Sequence, residues 1–108
     1  MSASDGFTPP APANADVKKW TNKAQPLAEE KANRCNDPYT EFDAKIFIKE
    51  TGELDERCQY FVKVHVGGVS YVHINMYVGL NPDALHVYVA GIKENMAEDA
   101  TIEPFDSN

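Results

Sequence analysis

The chain has 108 residues, 43% of them hydrophobic, which fits a single domain built around one core. Its 10 basic and 17 acidic residues leave a formal net charge of -7, which repels a phosphate backbone and excludes nucleic acid as a partner. No apolar run approaches the roughly 20 residues of a membrane span, and MSASDGFTPP lacks the basic and apolar regions of a leader, so a cytoplasmic protein with no membrane partner is expected.

Residues 1–13 read as a flexible, extended arm, because Pro9, Pro10 and Pro12 forbid helix and the stretch carries a single aromatic, Phe7. The domain proper is expected over 14–105, with 106–108 as a tail. From Asn14 or Asp16, both good capping residues, Val17, Trp20, Ala24, Leu27, Ala28 and Lys31 recur at spacings of three and four. This predicts an amphipathic helix of about 17 residues, kinked near Asn22 because Pro26 removes a backbone donor inside it. RCNDPYTE then breaks the helix.

After Glu41 the period changes to two: Phe42, Ala44, Ile46 and Ile48 alternate with Asp43, Lys45 and Lys49, although Phe47 interrupts the pattern. Beyond ETGELDE, Tyr60, Val62, Val64 and Val66 alternate with Phe61, Lys63 and His65, and Val72, Ile74, Met76 and Val78 alternate with Tyr71, His73, Asn75 and Tyr77. Treating Gly67-Gly68-Val69 as the loop pairs Val64 with Val72 and Val62 with Ile74, which puts the aliphatic side chains on one face. Treating NPDA as the next loop pairs Leu80 with Leu85, Val78 with Val87 and Met76 with Val89. The result is an α+β fold, one helix packed across a four-stranded antiparallel meander. Trp20, Ala24 and Leu27 should meet the valine face, while Lys63, His65, Tyr71, His73, Asn75, Tyr77, His86 and Tyr88 should face water.

That outer face offers no chemistry that can be assembled into a mechanism. The three histidines form no H-x-H or H-x-x-x-H pattern, and Lys63 is the expected cross-strand neighbour of His73, so no metal is expected. Cys35 and Cys58 lie outside any C-x-x-C pair and read as free thiols; acidic residues near Cys58 would raise its thiol pKa. There is no phosphate loop, nucleophile elbow or carboxylate dyad, so neither an enzyme nor a cofactor is expected.

Gly6, Pro12-Ala13, Val17, Pro26, Glu29-Glu30-Lys31 and Asn33, read without a gap, resemble the arm and helix of the stefins, the type 1 members of the cystatin superfamily. Tyr60-Phe61-Val62-Lys63-Val64-His65-Val66-Gly67 and Tyr71-Val72-His73-Ile74 are similar to the central strands of a stefin, and Phe105 resembles the aromatic that closes those chains. The resemblance implies a cystatin-like fold and reversible, non-covalent inhibition of papain-like cysteine proteases of the cathepsin class. In that family the arm and two hairpin loops form a wedge that enters the protease cleft. Carried over by position, the wedge comprises Gly6 and Phe7; Gly52, Glu53, Leu54 and Asp55; and Leu80, Asn81 and Pro82. Gly6 would run close to the protease wall and Phe7 would fill an apolar subsite. The resemblance implies a monomer and leaves open a dimer formed by exchange through the first hairpin.

The first hairpin loop departs from the family. Stefins carry a Q-x-V-x-G signature there, whereas this chain has Glu50-Thr51-Gly52-Glu53-Leu54-Asp55-Glu56-Arg57. Burying an unpaired carboxylate costs several kcal/mol, and each 1.4 kcal/mol is about a factor of ten in affinity. Three readings stay open: inhibition of a protease with a basic cleft rim, weaker inhibition through the arm and second loop, or a non-inhibitory binding or structural role on the same fold.

Overall fold

The computed structural model describes residues 6–51, 57–79 and 86–105. In chain order these form β1 (Ala11–Pro12), α1 (Ala15–Lys31), β2 (Asp43–Lys49), β3 (Arg57–His65), β4 (Tyr71–Gly79) and β5 (His86–Met96). The strands make one antiparallel sheet in the order β1-β2-β3-β4-β5. The sheet therefore has five strands where periodicity indicated four. A two-residue strand of one alanine and one proline carries no alternation by which sequence could reveal it.

α1 begins at Asn14, whose side-chain oxygen accepts the Val17 N–H at 2.8 Å, the usual way of satisfying one of the free donors of a helix start. Pro26 sits inside α1 without ending it; Asn22, whose carbonyl loses that partner, is exposed and open to water. At the far end Asn33 takes φ 59° and the Arg34 N–H returns to the Glu29 carbonyl at 2.7 Å, closing the helix. The buried stripe of α1 is Val17, Thr21, Ala24 and Ala28, with Trp20 packed at its margin on Tyr60. Leu27, expected in the core, is instead 37% exposed. Thr21 takes the inward position, which hydropathy alone would not assign to it.

The expected pairs of the two later hairpins that fall on described residues hold, Val62 with Ile74, Val64 with Val72, Met76 with Val89 and Val78 with Val87, while the expected Leu80–Leu85 pair lies outside the described residues. Val62, Val64, Val72, Ile74, Met76, Val78 and Val89 are all buried in the cluster that includes Ala24, with Val66 and Val87 at its border. β2 differs from expectation. A shift in pairing between Ala44 and Ile46 reverses the side-chain sense, so Phe47 packs with Tyr60 toward the helix while Ile46 and Ile48 turn to the opposite face. The break in alternation at Phe47 is the sequence trace of that bulge.

The opposite face is not the open surface expected. Residues 97–105 cross it: the Lys63 ammonium donates to the Glu98 carbonyl at 2.6 Å, the Asn75 amide donates to the Phe105 carbonyl at 3.1 Å, and Ile102 packs with Ile48 and Phe61. Lys63, Tyr71, His73 and Asn75 are consequently buried, whereas His86 and Tyr88 remain exposed. Lys63 and Asn75 are tolerated beneath the cover because both find hydrogen-bond partners there, whereas the buried His73 Nε2 has none among the described residues. Among the described residues no helix is long and apolar enough to cross a membrane.

Candidate functional site

The hairpin β3–β4 turns at one end of the sheet through Gly67 and Gly68, both at positive φ. The β2–β3 and β4–β5 hairpins turn at the other end, where Arg57 pairs with Gly79 and Gly79 with His86. The segment read as an arm joins this second end. Thr8 N–H donates to the Lys49 carbonyl at 2.9 Å, Phe7 bridges to Glu50, and the Thr51 N–H donates to the Gly6 carbonyl at 2.8 Å. The Glu50 N–H in turn reaches the Gln59 carbonyl at 2.9 Å, so Gly6, the entry of the first hairpin loop and β3 run side by side.

Of the sequence-derived site residues, Gly6 is exposed, at φ +84°, with nothing within 4 Å of where a Cβ would stand. Its backbone conformation, not crowding inside the molecule, is what favours glycine here. Phe7 is half-buried, and its ring meets Phe61 edge-on at 5.4 Å instead of projecting from the surface. Gly52, Glu53, Leu54, Asp55, Leu80, Asn81 and Pro82 lie outside the described residues.

Beside this end, on the face away from the helix, is a patch that sequence reasoning did not single out. The Arg57 guanidinium lies over the Tyr77 ring at 4.6 Å, Tyr77 and Tyr88 are 6.5 Å apart, and Arg57, Gln59, Asn75, Tyr77, Tyr88 and Phe105 line a groove of about 340 Å³. The register between β3, β4 and β5, with Phe105 of the closing segment laid beside it, brings these side chains together, and no local motif announces it.

The titratable groups do not assemble a reaction centre. Cys58 is buried, and burial is the main influence pushing its thiol pKa up; Lys49 opposes this and Glu50 adds to it, so nearby carboxylate is the lesser cause. Tyr60 beside it is pushed up to about 12, again chiefly by burial. His73, expected in water, is 2% exposed; burial and then the charges of Lys63 and Lys93 hold its pKa down to about 4. His65, at the other end, has acceptors at both ring nitrogens, the Gly68 carbonyl and the Glu41 carboxylate, and these raise its pKa. Among the described residues no group of three or more His, Cys, Asp or Glu side chains could hold a metal ion.

No protein-family model matches the chain. Among curated proteins it is 31% identical over 100 residues to leukocyte cysteine proteinase inhibitor 1 of Sus scrofa, an alignment spanning 93% of this chain and 91% of that one. It is 37% identical over 75 residues to cystatin-A8 of the same species, covering 69% of this chain and 67% of the relative. With stefin-2 of Mus musculus the identity is 25% over 100 residues, covering 93% and 90%. A helix across an antiparallel sheet, a resemblance running from the arm through the central strands, and relatives matched over nearly the whole chain lead to one conclusion: this protein belongs to the stefins, the type 1 cystatins, a family of protease inhibitors and not of enzymes.

Proposed function

We propose that the chain is a reversible, non-covalent inhibitor of papain-like cysteine proteases of the cathepsin class, acting as a monomer in the cytoplasm. The observation that carries this reading is the alignment at one end of the sheet: Gly6 hydrogen-bonded beside Thr51 at the entry of the first hairpin loop, with the second hairpin turning at the same end. The similarity to a relative named leukocyte cysteine proteinase inhibitor 1 supports it. In this reading Gly6 and Phe7, Gly52 to Asp55, and Leu80 to Pro82 form the contact. The exposed Gly6 backbone runs along the cleft wall, and the two loops fill the cleft without presenting a scissile bond. A non-inhibitory binding role is the second reading, favoured by the carboxylates of Glu53, Asp55 and Glu56 where the family has small uncharged residues.

Titration of papain and of a cathepsin with the purified protein separates the two. Stoichiometric loss of activity is expected, and no loss at equimolar or excess protein overturns the inhibitor reading. Deleting residues 1–7 should weaken inhibition about tenfold or more, the scale of a lost anchor at an interface hot spot. Neutralising Glu53, Asp55 and Glu56 should strengthen it by removing unpaired charge from the contact.

A further inference from the structure

The arm has few means of holding its register. Three of the residues 7–13 are prolines, which have no N–H to donate, so backbone pairing depends on a handful of bonds such as Thr8 to Lys49 and Ala13 to Lys45. Beside the Thr8 hydroxyl, which accepts the Lys49 N–H at 3.1 Å, the apolar side-chain anchor at this end is Phe7, and its support is built from the far end of the chain. Phe61, 1% exposed, lies between two rings, with Phe7 at 5.4 Å and Phe105 at 5.2 Å. Phe7, Gln59, Phe61, Pro104 and Phe105 line one slot of about 280 Å³. Phe105 is itself fixed from behind: its carbonyl accepts from the Asn75 amide at 3.1 Å, Asn75 Oδ1 accepts from Gln59 at 2.8 Å, and the Lys93 ammonium sits over its ring at 4.9 Å.

We infer that Phe105 is a positioning residue for the N-terminal arm: by backing Phe61 it completes the apolar seat of Phe7, and so sets where Gly6 is offered to a protease. Two aromatic contacts in series link the chain's closing segment to its opening one. The inference rests on the reading of Gly6 as a protease contact, while the positioning itself is a property of the free protein. Removing the Phe105 ring leaves Phe61 bare on one side and lets it turn toward the vacancy, which withdraws the edge on which Phe7 rests.

Amide hydrogen exchange followed by NMR on the free full-length protein tests this without any protease. In Phe105→Ala the Thr8 and Thr51 amides should exchange at least tenfold faster, the Val66 amide bonded to Ser70 at the opposite end should not change, and Phe105→Tyr should behave as wild type. Should Phe105→Ala loosen the whole sheet, with Val66 accelerating too, the milder Phe105→Leu is read in the same way. In papain titrations Phe105→Ala should weaken inhibition about tenfold in the full chain and have no effect once residues 1–7 are deleted. Unchanged exchange at Thr8 and Thr51 overturns the inference, as does equal weakening with and without the arm, which would mean that Phe105 acts on the protease directly. A protein that never inhibits papain overturns the proposed function alone, because the exchange data still decide whether Phe105 positions the arm.

Discussion

At the scale of single residues, burial separates side chains that the sequence presents as equivalent. Ile74 and His73 are neighbours on β4 and both nearly fully covered, yet one belongs to the helix-side core and the other lies beneath residues 97–105. Ile74→Ala should cost about 2–5 kcal/mol in urea unfolding, the range for truncating a buried aliphatic side chain. His73 gives a pH signature instead. Its folded pKa of about 4 lies below its ordinary value of about 6.5, so across that interval the unfolded chain binds a proton that the folded one refuses. The contribution of His73 to stability therefore falls as pH drops from about 6.5 toward 4, and His73→Gln should remove that part of the slope. Matched urea titrations at pH 7 and pH 4.5 check this. A variant as acid-sensitive as wild type would contradict it. His65, whose pKa is raised, acts with the opposite sign, losing its contribution as pH rises through its folded value, and cancels from the comparison.

At the scale of elements, much of the fold was legible wherever one periodicity governed both faces of a strand. The register of β3, β4 and β5 follows from Val62, Val64, Ile74, Met76 and Val89, because any one-residue slip would expose the whole set. Residues 97–105 were not legible as a cover. They have neither strand nor helix period, and what they bury, Lys63, His73 and Asn75, is polar and reads from sequence as surface. Similarly, Leu27 outranks Thr21 in hydropathy, but the helix faces the sheet along Val17, Thr21, Ala24 and Ala28. Of the candidate site, the arm and the hairpin order could be read from the chain; the Arg57–Tyr77–Tyr88 groove could not, since it exists only across strands. The cysteines bear on element order. Both are free, Cys35 exposed beyond α1 and Cys58 buried in β3. Thiol labelling should modify Cys35 in the native protein and Cys58 only after denaturation, with no disulfide in a non-reducing mass measurement. Rapid native labelling of both would contradict the burial of Cys58 in the helix-side core.

At the scale of the whole molecule, the sheet is covered on one face by α1 and on the other by residues 97–105, while residues 7–13 follow the outer side of β2. The prolines that deprive this stretch of donors also make it a poor template for a further strand. On the opposite border β5 is interrupted by a pairing shift at Ala90 and by Asn95 at φ 59°. The arm thus occupies the hydrogen-bonding side of a strand that would otherwise be open to another chain. A protease that clipped the molecule after Ala13 would leave it with β2 bare, and the product should become prone to self-association. Light scattering and size-exclusion chromatography of the 1–13 deletion should show concentration-dependent oligomers absent from the intact chain, with a strictly monomeric truncation arguing otherwise. On the inhibitor reading proposed above, loss of the arm's contact and entry into assemblies would then be a single event, and the lifetime of the intact arm would set the solubility of the protein.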